Sequence, residues 1–497
     1  MTERLIHETS GLCKVCKNAI DIRVVAREDG EVWMRKACAA HGVQDVRIST
    51  DVVWYEATRN TERKKVPPRT VHKEVHHGCP FDCGACASHE QKVRLPVVTI
   101  TSACNLDCPI CYVHNKNDGA FHMTVSDFEK VLAHLKEEHC GDGSEIDIIN
   151  LTGGEPTVHP NFLELLEKAK EAGIHRVTIC TNGIRLARDE GLVMKLAELG
   201  ARVALSFDTF EKEADFALQG ANLFDLKMKC LDLLEKHAVD TTLIPVMTRG
   251  VNEHEIGKII DLAVRRSNVR HLEVHTITYT GQGGVDFPRS GRISMVEVLD
   301  EIERTTNGVL RKDDFVSSPC AHPLCYQIAY LLVDPEGGPP IPFSRLVSKQ
   351  TIYECLSDRL YIEPTRKLEE AMTEAIDRLW ATEGDTEAER ALRIMRKLLG
   401  DMFPKDRSIT REEALRASER ASKAIYIHSH MDEETFDTER IVECCDSNCY
   451  ADGTTIPVCA YNVLYREKED HFMLQPVTWN ERSGGRKKFP NSLPIVR

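Results

Sequence analysis

Residues 95–112 read LPVVTITSACNLDCPICY, and most of the fold can be predicted from where this stretch leads. It opens with the apolar, β-branched run of a buried strand and continues directly into Cys104, Cys108 and Cys111. Three thiolates can bind three irons of a [4Fe–4S] cluster, which leaves the fourth iron open to a small molecule. The stretch therefore predicts a strand whose carboxyl end carries an iron–sulfur cluster.

Downstream of this strand, helical and strand-like segments alternate up to about residue 279. The first helix, over 124–139, begins with a capping box of Thr124 and Asp127. Such alternation requires a parallel sheet with its helices outside. Six β/α units without a seventh and an eighth predict an α/β fold, a partial, TIM-like (β/α)6 barrel. Its active site is expected at the carboxyl ends of the strands.

A glycine turn follows the second predicted strand. Gly153 and Gly154 let the backbone approach a ligand closely, and Glu155 offers an acceptor for a ligand ammonium group. Together with the cysteine loop on the neighbouring strand, this turn predicts a site that holds an amino acid by its amine and carboxylate.

These motifs resemble those of the radical S-adenosylmethionine (radical SAM) enzymes over about residues 95–280. The resemblance implies that the open iron binds S-adenosyl-L-methionine and that reductive cleavage yields a 5′-deoxyadenosyl radical. It also implies that Cys104, Cys108 and Cys111 are the catalytic ligands. The residue before the last cysteine is usually aromatic in that family, whereas here it is Ile110 and an aromatic residue follows instead. By analogy, the further cofactor-binding residues are Tyr112, Thr181, Asn182, Ser206 and Asp208.

The same C-x3-C-x2-C spacing occurs a second time, at Cys79, Cys83 and Cys86. No strand, helix and Gly-Gly-Glu turn of its own follows this copy, so we interpret it as part of an auxiliary cluster with a fourth ligand from elsewhere in the chain. The alternatives are a second site for the same cofactor and cysteines outside any metal site.

The amino-terminal region predicts a separate metal site. Cys13 and Cys16 precede a hairpin with its turn at 29–30, and Cys38 and His41 follow it. A C-x2-C and a C-x2-H pair on two turns form a closed tetrahedral site, similar to that of rubredoxin. Spacing alone does not separate iron from zinc.

Two more cysteine groups lie in the less regular region after residue 285. They predict a further [4Fe–4S] cluster, and Cys449 is the cysteine least expected to bind it. The candidate ligands of this cluster are Cys320, Cys325, Cys444, Cys445 and Cys459. Four isolated cysteines are interpreted as small core residues: Cys140, Cys180, Cys230 and Cys355.

Composition excludes several classes of function. A net charge of −14 over 497 residues argues against a nucleic-acid partner. The amino terminus lacks the apolar segment of a signal peptide, and no apolar run approaches membrane-spanning length, so a cytoplasmic protein is expected. The basic run at 482–489 is interpreted as a solvated tail, with peripheral contact to anionic lipid as the alternative.

The motifs divide the chain into four parts. Residues 1–60 form the mononuclear metal domain, 61–94 a linker that carries the first auxiliary motif, and 95–284 the barrel. Residues 285–497 form a carboxyl-terminal domain with the second auxiliary cluster and helices expected to enclose the substrate. The predicted cofactors are three [4Fe–4S] clusters, one mononuclear iron or zinc ion and S-adenosyl-L-methionine.

The order of all five cysteine groups resembles that in archaeal tetraether lipid synthases and their relatives, formerly described as class D radical SAM methylases. This resemblance implies carbon–carbon coupling of the terminal methyl groups of isoprenoid diether lipids, with a ferredoxin-type electron donor. A radical is needed because a terminal methyl group has neither an acidic proton nor a leaving group. One alternative is a radical SAM enzyme that methylates or otherwise modifies another substrate, such as a pterin. Another is an electron-transfer protein, which has no use for the amine-binding turn.

Overall fold

The computed structural model describes residues 3–71, 73–113, 120–139, 146–357, 359–381 and 386–466. Cys140 and the basic run at 482–489 lie outside these residues, so their interpretations remain predictions. Within the described ranges, no helix is both long enough and apolar enough to cross a membrane.

The amino-terminal unit is a four-stranded antiparallel sheet in the order β1-β2-β3-β4, followed by helix α1. Gly30 has a φ of 83° at the predicted β2–β3 turn, a conformation that glycine adopts without strain. The predicted metal ligands lie on the other two turns, β1–β2 and β3–β4, which places them at the same end of the sheet. The elements are β1 (Glu3–Leu12), β2 (Ala19–Arg27), β3 (Val32–Cys38), β4 (Gly42–Ser49) and α1 (Val52–Arg59).

The central sheet confirms the predicted parallel barrel. Its strands follow one another in sequence order, and β10 pairs with β11 beside that path. The strands are β5 (Leu95–Thr101), β6 (Ile148–Gly153), β7 (Arg176–Thr181), β8 (Arg202–Ser206), β9 (Thr241–Ile244), β10 (Val246–Met247) and β11 (Val269–Thr276).

Helices cover the outside of this sheet and bury its outward side chains, among them Val98, Ile149 and Val177. Of the predicted capping box, the Thr124 cap is present, since Asp127 N–H donates to Thr124 Oγ1 at 3.1 Å. The helices are α2 (Val125–His139), α3 (Phe162–Glu171), α4 (Ile184–Arg188), α5 (Glu190–Glu198), α6 (Lys212–Gln219), α7 (Phe224–Lys236) and α8 (Ile256–Arg265).

The carboxyl-terminal region adds a parallel strand to each edge of the six-stranded barrel. A strand at 422–428 pairs with β11, with His428 opposite His275, and a strand at 446–449 pairs with β5, with Asp446 opposite Leu95. Residues beyond 285 thus belong to the same sheet as the cluster strand. The strands of this region are β12 (Val316–Ser317), β13 (Tyr326–Leu332), β14 (Ile341–Pro342), β15 (Ser422–His428), β16 (Asp446–Cys449) and β17 (Thr455–Pro457).

The helices between residues 349 and 421 pack mainly on one another and on β13, forming a second apolar core with members such as Met372, Met395 and Leu398. The apolar faces of the two long helices at 366–380 and 386–402 are therefore largely buried in this core. The helices are α9 (Gly283–Asp286), α10 (Met295–Thr305), α11 (Lys349–Leu356), α12 (Arg366–Trp380), α13 (Thr386–Met402), α14 (Arg411–Ala421), α15 (Thr438–Val442) and α16 (Val458–Ala460).

A buried ion cluster closes the amino end of the barrel. Glu419 on α14 accepts from Arg176, the first residue of β7, at 3.0 Å and from Arg202, the first residue of β8, at 2.7 Å. Although burial opposes ionisation, the two guanidinium groups hold the pKa of Glu419 well below its usual range. This cluster attaches the carboxyl-terminal helices to the barrel.

Replacing Glu419→Gln should lower the free energy of unfolding by about 3–5 kcal/mol at pH 7, because two buried guanidinium groups would lose their counterion. A depressed carboxyl pKa stabilises the fold above the unfolded pKa, near 4.5, and loses that effect as the pH falls. The difference between wild type and variant should therefore shrink below about pH 4.5. Urea unfolding at several pH values measures both the loss of unfolding free energy at pH 7 and its dependence on pH. A loss of unfolding free energy that does not change with pH would contradict this account.

The matched control is Glu370→Gln. Glu370 forms an i,i+4 pair with Arg366, and the two side chains are 61% and 89% exposed. Its replacement should change the free energy of unfolding by less than about 0.5 kcal/mol.

Candidate active site and metal centres

The three predicted cluster ligands lie together on the loop that leaves β5. Burial raises the pKa of Cys108, and the neighbouring Cys111 and Cys104 raise it further, so the thiols are close enough to interact. Cys111 N–H donates to Cys108 O at 3.0 Å, which turns the loop back on itself. Three neighbouring thiols on one short loop fit three corners of a [4Fe–4S] cluster.

The Gly-Gly-Glu turn at the end of β6 is joined to this loop by its backbone. Gly154 N–H donates to Thr101 O at 2.9 Å and Glu155 N–H donates to Ala103 O at 2.8 Å. A Cβ atom on Gly154 would lie 2.2 Å from Ala103 O, so the two backbones can approach this closely only at a glycine.

The Glu155 side chain has four hydrogen-bond partners from the chain itself. Its carboxylate accepts from Thr157 N–H at 3.1 Å, from the Thr157 hydroxyl at 2.6 Å, from the Thr181 hydroxyl at 2.7 Å and from Asn182 N–H at 2.8 Å. Burial raises its pKa, while these bonds favour the ionised form. Glu155 thus positions the turn after β7, and a ligand ammonium group would have to share its carboxylate.

The remaining predicted cofactor residues lie on adjacent strand ends. Asn182 donates to Asn105 Oδ1 at 2.7 Å and so links the β7 turn to the cluster loop. Asp208 is 1% exposed and accepts from Val246 N–H at 2.9 Å, while Ser206 is the half-buried last residue of β8. Tyr112 is 38% exposed, and its ring stacks on His430 at 6.2 Å between centroids.

The structure adds two residues that the sequence did not single out. Gln219 donates to Asp208 and accepts from the Cys108 thiol at 3.5 Å. Lys227, 2% exposed, places its ammonium 3.6 Å from Asp208 and 3.8 Å from Asp215. Both residues lie on helices and are far in sequence from the cysteine motif, so no local pattern indicated them.

Of the isolated cysteines, Cys230 and Cys355 are buried in apolar cores, as expected. Cys180 differs. Val177 and Ile179 on β7 face the outer helices, so Thr178 and Cys180 face the barrel interior. The alternation of side chains along β7 could have predicted this orientation of Cys180 from the sequence.

The amino-terminal ligands form a compact tetrahedral set. His41 Nδ1 lies 3.5 Å from Cys13 Sγ and 3.4 Å from Cys38 Sγ, and Cys16 Sγ lies 3.9 Å from Cys38 Sγ. Ligands at ordinary zinc distances would be separated by about 3.5–3.8 Å in a tetrahedron. Although burial opposes ionisation, hydrogen bonds from Cys16 N–H and the Gln44 amide lower the pKa of Cys13 to about 6.

The second C-x3-C-x2-C motif lines a cavity between α2 and the carboxyl-terminal strands. Its loop is held by Tyr465, whose hydroxyl accepts from Cys83 N–H at 3.1 Å and contacts Phe81 O at 2.8 Å. Cys79, Cys83 and Cys86 share this cavity with Cys449 on β16. The cysteine least expected to bind a cluster is therefore a candidate fourth ligand.

The other carboxyl-terminal cysteines meet where β13 and β16 approach each other. Cys320 Sγ and Cys445 Sγ are 3.7 Å apart, and Arg440 donates to Cys325 Sγ at 3.4 Å. Cys444 and Cys459 are close enough to Cys325 for their charges to affect each other's pKa. All cysteines in the described ranges are free of disulfides.

Comparison with known families agrees with this geometry. Residues 98–263 match the profile of the radical SAM superfamily. The barrel has the partial-barrel fold of the radical SAM superfamily. Residues 5–50 match the HMPTM N-terminal zinc ribbon domain, which favours zinc over iron as the metal of the predicted mononuclear site. A [4Fe–4S] cluster and S-adenosylmethionine are the cofactors that this superfamily implies, and the three thiols after β5 fit the cluster.

Individual relatives cover different shares of this chain. A 7,8-dihydro-6-hydroxymethylpterin dimethyltransferase of Methanocaldococcus jannaschii is 26% identical over 95% of this chain and 96% of its own length. A GTP 3′,8-cyclase of Chlorobaculum tepidum is 32% identical over 37% of this chain and 56% of its own length. The solved structure of the FeFe-hydrogenase maturase HydG from Carboxydothermus hydrogenoformans aligns with a TM-score of 0.36 and 10% identity, covering 62% of this chain and 82% of that one.

The expected resemblance to tetraether lipid synthases is wrong. The relative that aligns over nearly the whole chain is named as a pterin methyltransferase. The cysteine order was misleading because the positions of predicted metal ligands carry no information about whether the substrate is a lipid or a pterin. The carbon–carbon coupling of lipid chains and the isoprenoid diether substrate, which that resemblance implied, are wrong as well.

Replacing Gly154→Ala should displace the cluster loop, because the new methyl group would meet the Ala103 carbonyl at 2.2 Å. A shift of about 1 Å at a reacting centre costs about a hundredfold in rate, so 5′-deoxyadenosine formation should fall by about that factor. Chromatography of the deoxyadenosine product measures it. Gly400→Ala is the control, since its new Cβ would meet no atom within 4 Å, and equal losses in the two variants would refute the explanation.

The two cysteine motifs should differ in function. Changing Cys104, Cys108 and Cys111 together to Ala should abolish 5′-deoxyadenosine formation, because no open iron remains. Changing Cys79, Cys83 and Cys86 to Ala should abolish conversion of the substrate to product but leave some deoxyadenosine, since the cleavage happens elsewhere. The same assay on Cys355→Ala, a buried cysteine in the second core, controls for misfolding. Complete loss in both triple variants, with normal folding, would make the motifs equivalent.

Proposed function

We propose that this protein is a radical SAM methyltransferase that replaces a C–H bond of a reduced pterin with a C–CH3 bond. The co-reactants are S-adenosylmethionine, a one-carbon donor and a one-electron reductant of the ferredoxin class. Alignment over 95% of the chain with a protein named as a dihydropterin dimethyltransferase carries this proposal. The match includes the amino-terminal and carboxyl-terminal regions and is not confined to the barrel.

The barrel interior supports a small polar substrate. A partly open cavity lies on the inner face of the sheet. Its lining includes Asn150, Thr178, Thr242 and Glu273, which offer donors and acceptors from four different strands. The amino group and ring N–H of a pterin are hydrogen-bond donors, and a carboxylate such as Glu273 can accept from both.

The cavity extends from the amino ends of the strands, where Arg176 and Arg202 line it, to Glu273 inside the barrel. Glu273 and Glu155 both act on the pKa of Cys180, which burial raises to about 12, so the interior carboxylate and the Gly-Gly-Glu turn lie near the same residue. When bound, the cluster and S-adenosylmethionine would supply a radical that removes hydrogen from an unactivated carbon. Asn182 and Asp208 would hold the cofactor on the strand ends above the cavity.

The auxiliary metal centres complete the proposal. We assign one further [4Fe–4S] cluster to Cys79, Cys83 and Cys86, with Cys449 as the candidate fourth ligand. A second is assigned to the group at Cys320 and Cys445. These two clusters would pass electrons to and from the substrate. The protein would act in the cytoplasm. Both assignments rest on clustered thiols in the described part of the chain.

The test is an anaerobic assay of the reconstituted protein with reductant, S-adenosylmethionine and a 6-hydroxymethyl dihydropterin. Mass spectrometry should show a product heavier by one or two methyl groups. Two parallel assays identify the carbon donor. One uses S-adenosylmethionine with ¹³C in its sulfonium methyl group, and the other uses a folate-type carrier labelled with ¹³C. The variant lacking Cys104, Cys108 and Cys111 is the negative control. Deoxyadenosine formation without any methylated pterin from either donor would overturn the proposal.

A further inference from the structure

Three histidines meet at the carboxyl end of the barrel, beside Cys459 of the carboxyl-terminal cysteine group. His275 lies on β11, His428 ends β15, and His430 follows two residues later. One ring nitrogen from each lies within 4.8 Å of the other two. We propose that this set, the histidine triad, binds a divalent first-row transition-metal ion in a site of its own.

The rings are arranged as ligands of one ion would be. Zinc–nitrogen bonds of about 2.0–2.1 Å allow ligand nitrogens up to about 4.2 Å apart, so the triad closes on an ion with small side-chain rotations. The His275 ring is 5.3 Å from the His428 ring and 5.0 Å from the His430 ring, both nearly perpendicular. His428 and His430 lie closer, at 3.9 Å, and tilted by 42°. The rings of His428 and His430 must therefore move slightly apart to bind an ion.

Acceptors surround the triad on the outside. Glu273 Oε1 lies 3.1 Å from His275 Nε2 and 3.4 Å from His428 Nδ1, and Asp446 Oδ2 lies 3.7 Å from His428 Nε2. Cys459 Sγ lies 3.7 Å from His430 Nδ1. A metal-bound histidine usually donates its other ring N–H to a carboxylate or another acceptor, which fixes the ring and increases its basicity.

The chemistry of imidazole explains why a cation belongs here. A neutral ring has one N–H donor and one nitrogen lone pair. If the His275 and His430 N–H groups point outward to Glu273 and Cys459, the lone pairs of these two rings point to the space between the rings. His428 has a carboxylate near each ring nitrogen and would bind the ion through the nitrogen that does not donate its proton. Converging buried lone pairs are unfavourable unless a shared partner binds them, and a metal ion is such a partner. Imidazole ligands favour zinc, iron, cobalt or nickel over calcium or magnesium.

The location indicates what the ion would do. His275 is two residues beyond Glu273 on β11, so both side chains share the inner face, and Glu273 lines the interior cavity. On the other side, His430 stacks against Tyr112, next to the last cysteine of the cluster loop. Three protein ligands leave a coordination position open, as in catalytic zinc sites, so the ion can bind an oxygen or nitrogen atom of a molecule in the barrel.

The primary test is metal counting on the full-length protein with its iron–sulfur clusters in place. After anaerobic equilibration with Zn²⁺ and removal of free ion, the wild type should hold two zinc ions per chain, one in the ribbon and one in the triad. His275→Gln and His430→Gln should each hold one, with iron and sulfide unchanged. Glu273→Gln should keep the site but weaken zinc binding by about 10–100-fold.

His271→Gln is the matched control, because His271 lies on the same face of β11 but outside the triad. It should retain two zinc ions. One zinc ion in the wild type, or equal zinc in the wild type and the triad variants, would overturn the proposal. Loss of about four irons and four sulfides from His430→Gln would also overturn it, since His430 would then be a ligand of the neighbouring cluster.

Cobalt distinguishes the two sites directly. In the Cys13→Ser, Cys16→Ser variant, the zinc ribbon cannot bind a metal ion tightly. Co²⁺ at the triad should then give ligand-field absorption without a thiolate-to-metal charge-transfer band. Adding His275→Gln to that variant should remove the remaining ligand-field absorption. A thiolate band that persists in the ribbon variant would place the cobalt on cysteine and refute the triad. This readout does not depend on the pterin assay.

Discussion

Two backbone hydrogen bonds between the cluster loop and the Gly-Gly-Glu turn hold the reactive end of this barrel together. They run from Gly154 and Glu155 to the carbonyl groups of Thr101 and Ala103. The Glu155 carboxylate then extends the connection to Thr181 and Asn182 on the next strand. Three successive strand ends are thus held in register by one short turn. The cluster loop has a defined position only because this turn tolerates almost no side-chain volume.

The local elements of the fold could be predicted because their signals are local. Helix periodicity and the capping box at Thr124 were enough for α2, and the turn at Gly30 was enough for the first hairpin. Strands β15 and β16 were not predicted as parts of the barrel. They pair with partners about 150 and 350 residues earlier in the chain, and such pairing leaves no local pattern. The sequence therefore indicated six strands, whereas eight lie parallel along the main path of the described sheet.

The candidate site was predictable to the extent that spacing determines chemistry. C-x3-C-x2-C and the zinc-ribbon pairs identify ligands because a metal requires several donors at fixed distances. Cys449 and the histidine triad depend on tertiary proximity, and spacing carries no information about that. Cys180 is an intermediate case, because strand alternation placed it inside the barrel once β7 was recognised. The substrate class was predicted wrongly, since metal ligands do not report which molecule lies above them.

The pairing of β16 with β5 has a consequence for the order of assembly. β5 carries the cluster loop, and one of its two neighbours is a strand some 350 residues later in the chain. Domains form from the amino terminus onward during synthesis, so the cluster strand has an open edge until residue 449 leaves the ribosome. An open edge is a site for mispairing with another strand. The strand that supplies Cys449 therefore covers the edge of the cluster strand only at the end of synthesis.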